Sequence, residues 1–145
     1  MAESIARMLD TRRLERVAVN VDHAKTVIDT AKKHIATARV LAGTDDPGMA
    51  FTAAYDGARK ALTSVLAVEG LRVRPVGGAH RNTGIAARLF VENDSLDEFE
   101  WMRQVRNATE YPDEGRPTAT RQDVDEAIEA SEAIVRVCAE YVQTR

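Results

Sequence analysis

The sequence predicts an all-α, up-and-down bundle of four to five helices. Three observations predict it. Apolar residues recur every three or four positions over long stretches. No stretch shows the alternation of a β-strand. Glycines and prolines are sparse and cluster at three places, Pro47-Gly48, Gly70 to Gly78 and Pro112 to Pro117, and so punctuate the helices.

The first long stripe is Val21, Ala24, Ile28, Ala31, Ile35, Ala38 and Leu41, with Gly43 as its stop. Thr44, Asp45 and Asp46 precede Pro47, which suits the start of a second helix. Phe51, Tyr55, Ala58, Leu62 and Val65 form that helix's stripe, and Gly70 ends it. The short connection makes the two an antiparallel hairpin. A shorter helix is expected from about Thr83 to Val91. A fourth is expected from Ser95, whose hydroxyl would cap it with Glu98 as the capping-box partner. Leu96, Phe99 and Met102 are its apolar contacts, and Pro112 is its end. Thr120 and Asp123 open the last helix, whose stripe is Val124, Ile128, Ser131, Val135, Cys138 and Val142. Ahead of Asn20, a short helix would use Ile5, Met8 and Leu9. The many alanines along these stripes imply close helix packing.

The composition narrows the functional classes. The chain has 145 residues and a net charge of −3, with 44% apolar and 30% charged residues. That is enough for one domain, taken as residues 1–145, with its own core. The lone Cys138 excludes an intrachain disulfide and a multi-cysteine zinc site, and it reads as a buried small hydrophobe. No run reaches the ~20 apolar residues of a membrane span. The charge-studded start is not a secretory signal, so the expected location is cytoplasmic. No cofactor, metal or membrane partner is indicated.

Two polar features stand out. Between Leu71 and Phe90 lie Arg72, Arg74, His80, Arg81 and Arg88 without a single acid, around Gly77-Gly78. Guanidinium groups bind phosphate bidentately, and glycines let a backbone come close to it. The plain alternative is a solvated loop whose arginines pair with the acids just downstream, Glu92 to Glu100. The second feature is the end of the fourth helix, where Arg103, Arg106, Asn107 and Glu110 share one face. Here the plain alternative is an Arg106–Glu110 surface pair. Tyr111 lies off that face on an ideal helix. Pro112 disfavours helical geometry at Tyr111, and a break there would let the phenol swing back toward Arg106.

Four phrases together resemble the HEPN-domain family: Ala53 to Leu62 (AAYDGARKAL), Gly70 to Arg74 (GLRVR), Gly78 to Arg81 (GAHR) and Arg106 to Tyr111 (RNATEY). The resemblance covers roughly residues 20–143. It implies an α-helical bundle that dimerises, and for many members a metal-independent endoribonuclease of toxin–antitoxin, defence or RNA-processing systems. The family motif is an arginine, a polar residue and then a histidine four to six residues after the arginine. Carried over, Arg106 is the arginine and Asn107 the polar residue, but Tyr111 stands where the histidine belongs.

That departure bears on chemistry. Attack of a ribose 2′-OH on phosphate needs a proton acceptor, a proton donor and a cation. Histidine titrates near 6.5, whereas tyrosine, near 10, is a poor base at pH 7. The catalytic candidates are therefore Arg106, Asn107 and Tyr111, with His80 a replacement imidazole if its loop reaches them. Arg72, Arg74, His80, Arg81 and Arg103 are the candidates for holding RNA or another anion. His23 and His34 read as surface groups. The leading expectation is an RNA- or nucleotide-associated protein with weak or no nuclease activity, dimeric and paired with a cognate antitoxin or nucleotidyltransferase. The alternatives are an active metal-independent endoribonuclease toxin and a helical interaction subunit paired with a nucleotidyltransferase, without nucleic-acid function of its own.

Overall fold

A computed structural model describes residues 2–111 and 118–145. Six α-helices and a two-stranded ribbon follow in the order α1 (Ile5–Asp10), β1 (Leu14–Arg16), α2 (Val21–Ala42), α3 (Pro47–Val68), β2 (Leu71–Val73), α4 (Ala79–Phe90), α5 (Glu98–Glu110) and α6 (Arg121–Gln143). The helical bundle is as the periodicity predicts. The short helix expected before Asn20 is present as α1.

The hairpin of α2 and α3, crossed by α6, forms the main core. Its seams are made of alanine. Ala24, Ala31 and Ala38 on α2 and Ala54, Ala58 and Ala61 on α3 are fully buried. Small side chains let the helix axes approach, and at Gly57 even a Cβ would come within 3.0 Å of the Ala31 carbonyl oxygen. The expected caps hold at three ends. Asp46 accepts from the Met49 N–H before Pro47, Gly43 closes α2, and Thr120 and Asp123 form a reciprocal capping box. Cys138 is buried, and burial pushes its thiol up to about 12, so it behaves as a core hydrophobe.

Three local expectations change. The chain has strands after all: β1 and β2 pair antiparallel, with Leu14 opposite Val73, Glu15 opposite Arg72 and Arg16 opposite Leu71. At three residues each they are too short to show an alternating pattern. The ribbon and α1 close a second small cluster of Met8, Leu14, Leu66, Leu71 and Ala86. Second, α4 starts at Ala79 rather than Thr83. Gly78 takes a left-handed φ of 80° just before it, so conformational freedom replaces a capping side chain. Third, Ser95 is not a cap. The Asn93 side chain accepts from the Ser95 N–H at 2.9 Å and opens a 3₁₀ turn over Asp94–Asp97, and α5 begins only at Glu98. The expected stop at Pro112 lies outside the described residues.

Helices α4 and α5 pack across α3, and the end of α5 lies beside the first turns of α3, where Thr109 meets Gly48. Phe99 of α5 wedges against Gly84 of α4, where a Cβ would sit 2.8 Å from the ring. Trp101 meets Phe51 edge-on at 5.7 Å. Among the described residues, no helix is long and apolar enough to cross a membrane.

Candidate functional site

The centre of the site is a hydroxyl–imidazole pair. Tyr55 belongs to the apolar stripe of α3, and its ring is fully buried, stacked on Phe99 at 5.1 Å and 11°. Its hydroxyl emerges at the edge of the core and lies 3.0 Å from His80 Nδ1. The early start of α4 puts His80 in its first turn, facing α3.

Around this pair stand Arg59, one helical turn beyond Tyr55 on α3, and Arg103 and Arg106 on α5. Burial lowers the pKa of His80 below the ordinary imidazole value, and the Arg59, Arg106 and Arg103 guanidinium groups lower it further against a smaller opposing effect of Asp56. Burial pushes Tyr55 up to about 12, so the phenol keeps its proton at every physiological pH. At pH 7 the imidazole is therefore neutral. If the phenol donates to Nδ1, Nε2 carries the imidazole proton and faces away from Tyr55.

The arginines are only partly satisfied. Arg103 is bound twice by Glu100, at 3.1 and 2.5 Å, which also holds the Glu100 pKa down. Arg106 pairs with Glu110 at 3.0 Å, so the plain alternative of a helix-surface pair is present. Arg59 lies 3.8 Å from Asp56, too long for a hydrogen bond. Yet the Nε atoms of Arg59 and Arg106 are buried and have no hydrogen-bond partner among the described residues. An unsatisfied buried donor is costly, so both side chains are held at some expense.

The remaining sequence candidates are spread more widely. Asn107 is half-buried on α5. Tyr111 does not swing back toward Arg106. It stands 66% exposed, its N–H bonded to the Asn107 carbonyl, while Arg106 takes Glu110. Arg72 pairs with Glu15 across the ribbon, and Arg74 donates to the Arg12 carbonyl at 3.0 Å. Arg81 lies in a separate cleft between α4 and α5 with Arg88, Asp97 and Glu100. Arg88 pairs with Asp94 and Asp97, as the solvated-loop alternative anticipated. Of the basic segment, then, His80 reaches the Arg106 neighbourhood. His34 is tied to Lys60 at 2.5 Å. The residues that sequence reasoning passed over are Tyr55, as core, and Arg59. Arg59 sits four residues from Tyr55 on α3, among Asp56, Lys60 and Thr63, so nothing in the local pattern marks it. Among the described residues, no three His, Cys, Asp or Glu side chains gather as metal ligands.

The histidines yield a pH prediction. Both His80 and His34 have folded-state pKa values below the ordinary 6.5, chiefly through burial. The unfolded chain therefore takes up more protons as pH falls through about 6.5, so stability drops with pH from there until the folded-state values are passed. Chemical denaturation between pH 7.5 and 5 should show that loss, and His80→Gln should reduce it. A denaturation midpoint that is flat over this range would contradict the burial of both rings.

No curated protein and no solved structure gave a significant match to the chain. A family model does match, described as the HEPN domain, and it spans residues 24–141. That stretch runs from early α2 to late α6 and takes in Tyr55, Arg59, His80, Arg103 and Arg106, so the chain belongs to the HEPN domain family.

Proposed function

We propose that this HEPN domain binds RNA, seating a backbone phosphate on Arg59, Arg103 and Arg106 beside His80, and that it cleaves RNA weakly and without metal. The observation that carries this reading is the convergence of Arg59 from α3 and of Arg103 and Arg106 from α5 on the Tyr55–His80 pair, with the buried Nε atoms of Arg59 and Arg106 unsatisfied among the described residues. HEPN domains are typically nucleotide-binding or ribonuclease-like, which fits that chemistry. The Glu110 carboxylate on Arg106 is exposed, and exposed pairs contribute only about 0–1 kcal/mol, so a phosphate displaces it readily. Weak cleavage follows from the proton inventory. His80 is the one imidazole of the cluster, its Nδ1 is engaged by Tyr55, and Tyr111 is a poor base facing solvent. The family resemblance supports a homodimer acting in a toxin–antitoxin or defence system, with a cognate antitoxin or nucleotidyltransferase as partner.

Affinity for single-stranded RNA tests the anion site. Seating one backbone phosphate implies a slope of about −0.7 in log affinity against log salt, a loss of about 3-fold between 50 and 200 mM salt. Arg59→Ala and Arg106→Ala should each weaken binding several-fold and flatten that slope. Tyr111→Phe should leave both unchanged. Native-like affinity in both arginine variants at low salt would dismiss the site.

A further inference from the structure

A cavity of about 500 Å³ lies on the far side of Arg59 and His80, between α2, α3, the ribbon and the start of α4. Its floor is formed by the buried Leu66, Leu71 and Thr83, and its rim by the exposed Ala18, His23 and Arg72. Helix α3 presents Arg59, Thr63, Leu66 and Ala67 to it at three- and four-residue spacing, so one face of the helix is its wall. Arg59 and His80 belong both to this wall and to the anion cluster, so the two sites share a boundary.

The chemistry of the lining is unusual for this chain. The sequence holds 23 acids and 20 lysines and arginines. None of the seventeen residues lining the cavity is a carboxylate, whereas Arg59, Arg72, Arg74, His23 and His80 all open onto it. By contrast, the cleft between α2 and α6 carries Glu132 and Glu140 beside its arginines. Arg72 is balanced by Glu15, but Arg74 is held by a neutral carbonyl and keeps its full charge. Between the cations the walls are aliphatic: Val17, Val27, Leu66 and Val73. An apolar slot edged with fixed cations suits a flat, partly apolar ring that carries an anionic group, and the volume lies within the usual range for small-ligand sites.

We propose that this cavity is the base subsite of the RNA site. It receives the base and ribose of the nucleotide whose phosphate rests on Arg59 and His80, and Arg74 meets the neighbouring phosphate. The aliphatic walls cover the faces of the base, and guanidinium planes stack on what remains exposed. The polar lining is engaged within the protein, where Asn20 accepts from the His23 N–H and Thr63 and Thr83 donate to the Lys60 and Ala79 carbonyls, so the subsite takes any base. The proposal rests on the RNA-binding reading above, and the two can fail separately.

The experiment titrates the full chain with a nucleoside 5′-monophosphate, the matching nucleoside, inorganic phosphate and a short single-stranded RNA, followed by calorimetry. Val27→Phe fills the slot from α2 without touching an arginine, and Ala18→Trp obstructs its mouth from an exposed position outside the core. Circular dichroism confirms that each variant is folded. The monophosphate should bind about tenfold or more tighter than phosphate, in keeping with the strength of base contacts. Both variants should remove that advantage, leave phosphate binding intact and weaken RNA binding to a similar degree. Equal affinity for monophosphate and phosphate, or native monophosphate affinity in both folded variants, overturns the subsite. RNA binding that the variants leave unaltered does the same, while the anion cluster stands. A monophosphate that binds while RNA does not removes the RNA reading and with it the assignment as an RNA subsite.

Discussion

In EDTA, replacing Arg106 with alanine should lower the rate of RNA cleavage by about 10²–10³-fold, the usual loss when a group that stabilises developing charge is removed. Cleavage by attack of the 2′-OH concentrates negative charge on the non-bridging phosphate oxygens. In the proposed site that charge falls to Arg106, which lies beside His80 and Tyr55. The products of the proposed reaction should carry 2′,3′-cyclic phosphate ends, because the attacking 2′-OH stays bonded to the phosphorus when the 5′-oxygen leaves. His80→Gln should cost a comparable factor, since His80 is the neutral imidazole in this cluster and its pKa is already pulled down by burial and by Arg106. Tyr111→Phe should change little, because the phenol is exposed and Arg106 pairs with Glu110. Tyr111→His probes the family pattern directly: at a 66% exposed position the added imidazole must first be brought to the cluster, so the gain should be small. A large rise on Tyr111→His, or activity that survives Arg106→Ala, would show that the chemistry lies at the end of α5 without His80. Abolition by EDTA would show that it is metal-dependent.

The parts of this fold written in the sequence are those set by long periodic stretches. Ile28, Ala31, Ile35 and Ala38 announce α2, and Phe51, Tyr55, Ala58 and Leu62 announce α3. A 22-residue helix repeats its signal six times over. The ribbon was illegible because Leu14–Arg16 and Leu71–Val73 are held by pairing between segments 57 residues apart, not by anything local. The early start of α4 depends on the left-handed Gly78, and a glycine beside another glycine reads equally well as loop. Arg106 was legible as a motif residue, and His80 only as a candidate whose reach depended on that helix start. Tyr55 was hidden by its own chemistry. Its ring fills the core, which the stripe predicts, while its hydroxyl bonds a histidine 25 residues away, which no local pattern encodes. Arg59 was missed for the same reason. Its importance comes from the approach of α4 and α5 to α3, and that approach is a product of packing.

Packing and site meet at Phe99, and there the largest effect on stability is expected. Phe99 is 2% exposed, stacks on Tyr55 and rests against Gly84, so one ring joins α3, α4 and α5. Truncating a buried phenylalanine to alanine costs about 3–5 kcal/mol. Folded domains are typically stable by only about 5–15 kcal/mol, so Phe99→Ala should remove a large part of the total. The damage should not stop at stability. Without the ring beneath it, Tyr55 can tilt, its hydroxyl loses the fixed direction toward His80 Nδ1, and water enters beside the imidazole. Relief from burial then moves the His80 pKa upward, toward 6.5. Phe99→Leu separates the two consequences. It keeps most of the apolar volume and loses the flat face, so the denaturation midpoint should fall less than in Phe99→Ala while the His80 titration, followed by NMR, still shifts upward. An unmoved His80 titration in folded Phe99→Leu would mean that the Tyr55–His80 bond does not depend on the stack, and that α4 alone positions the imidazole.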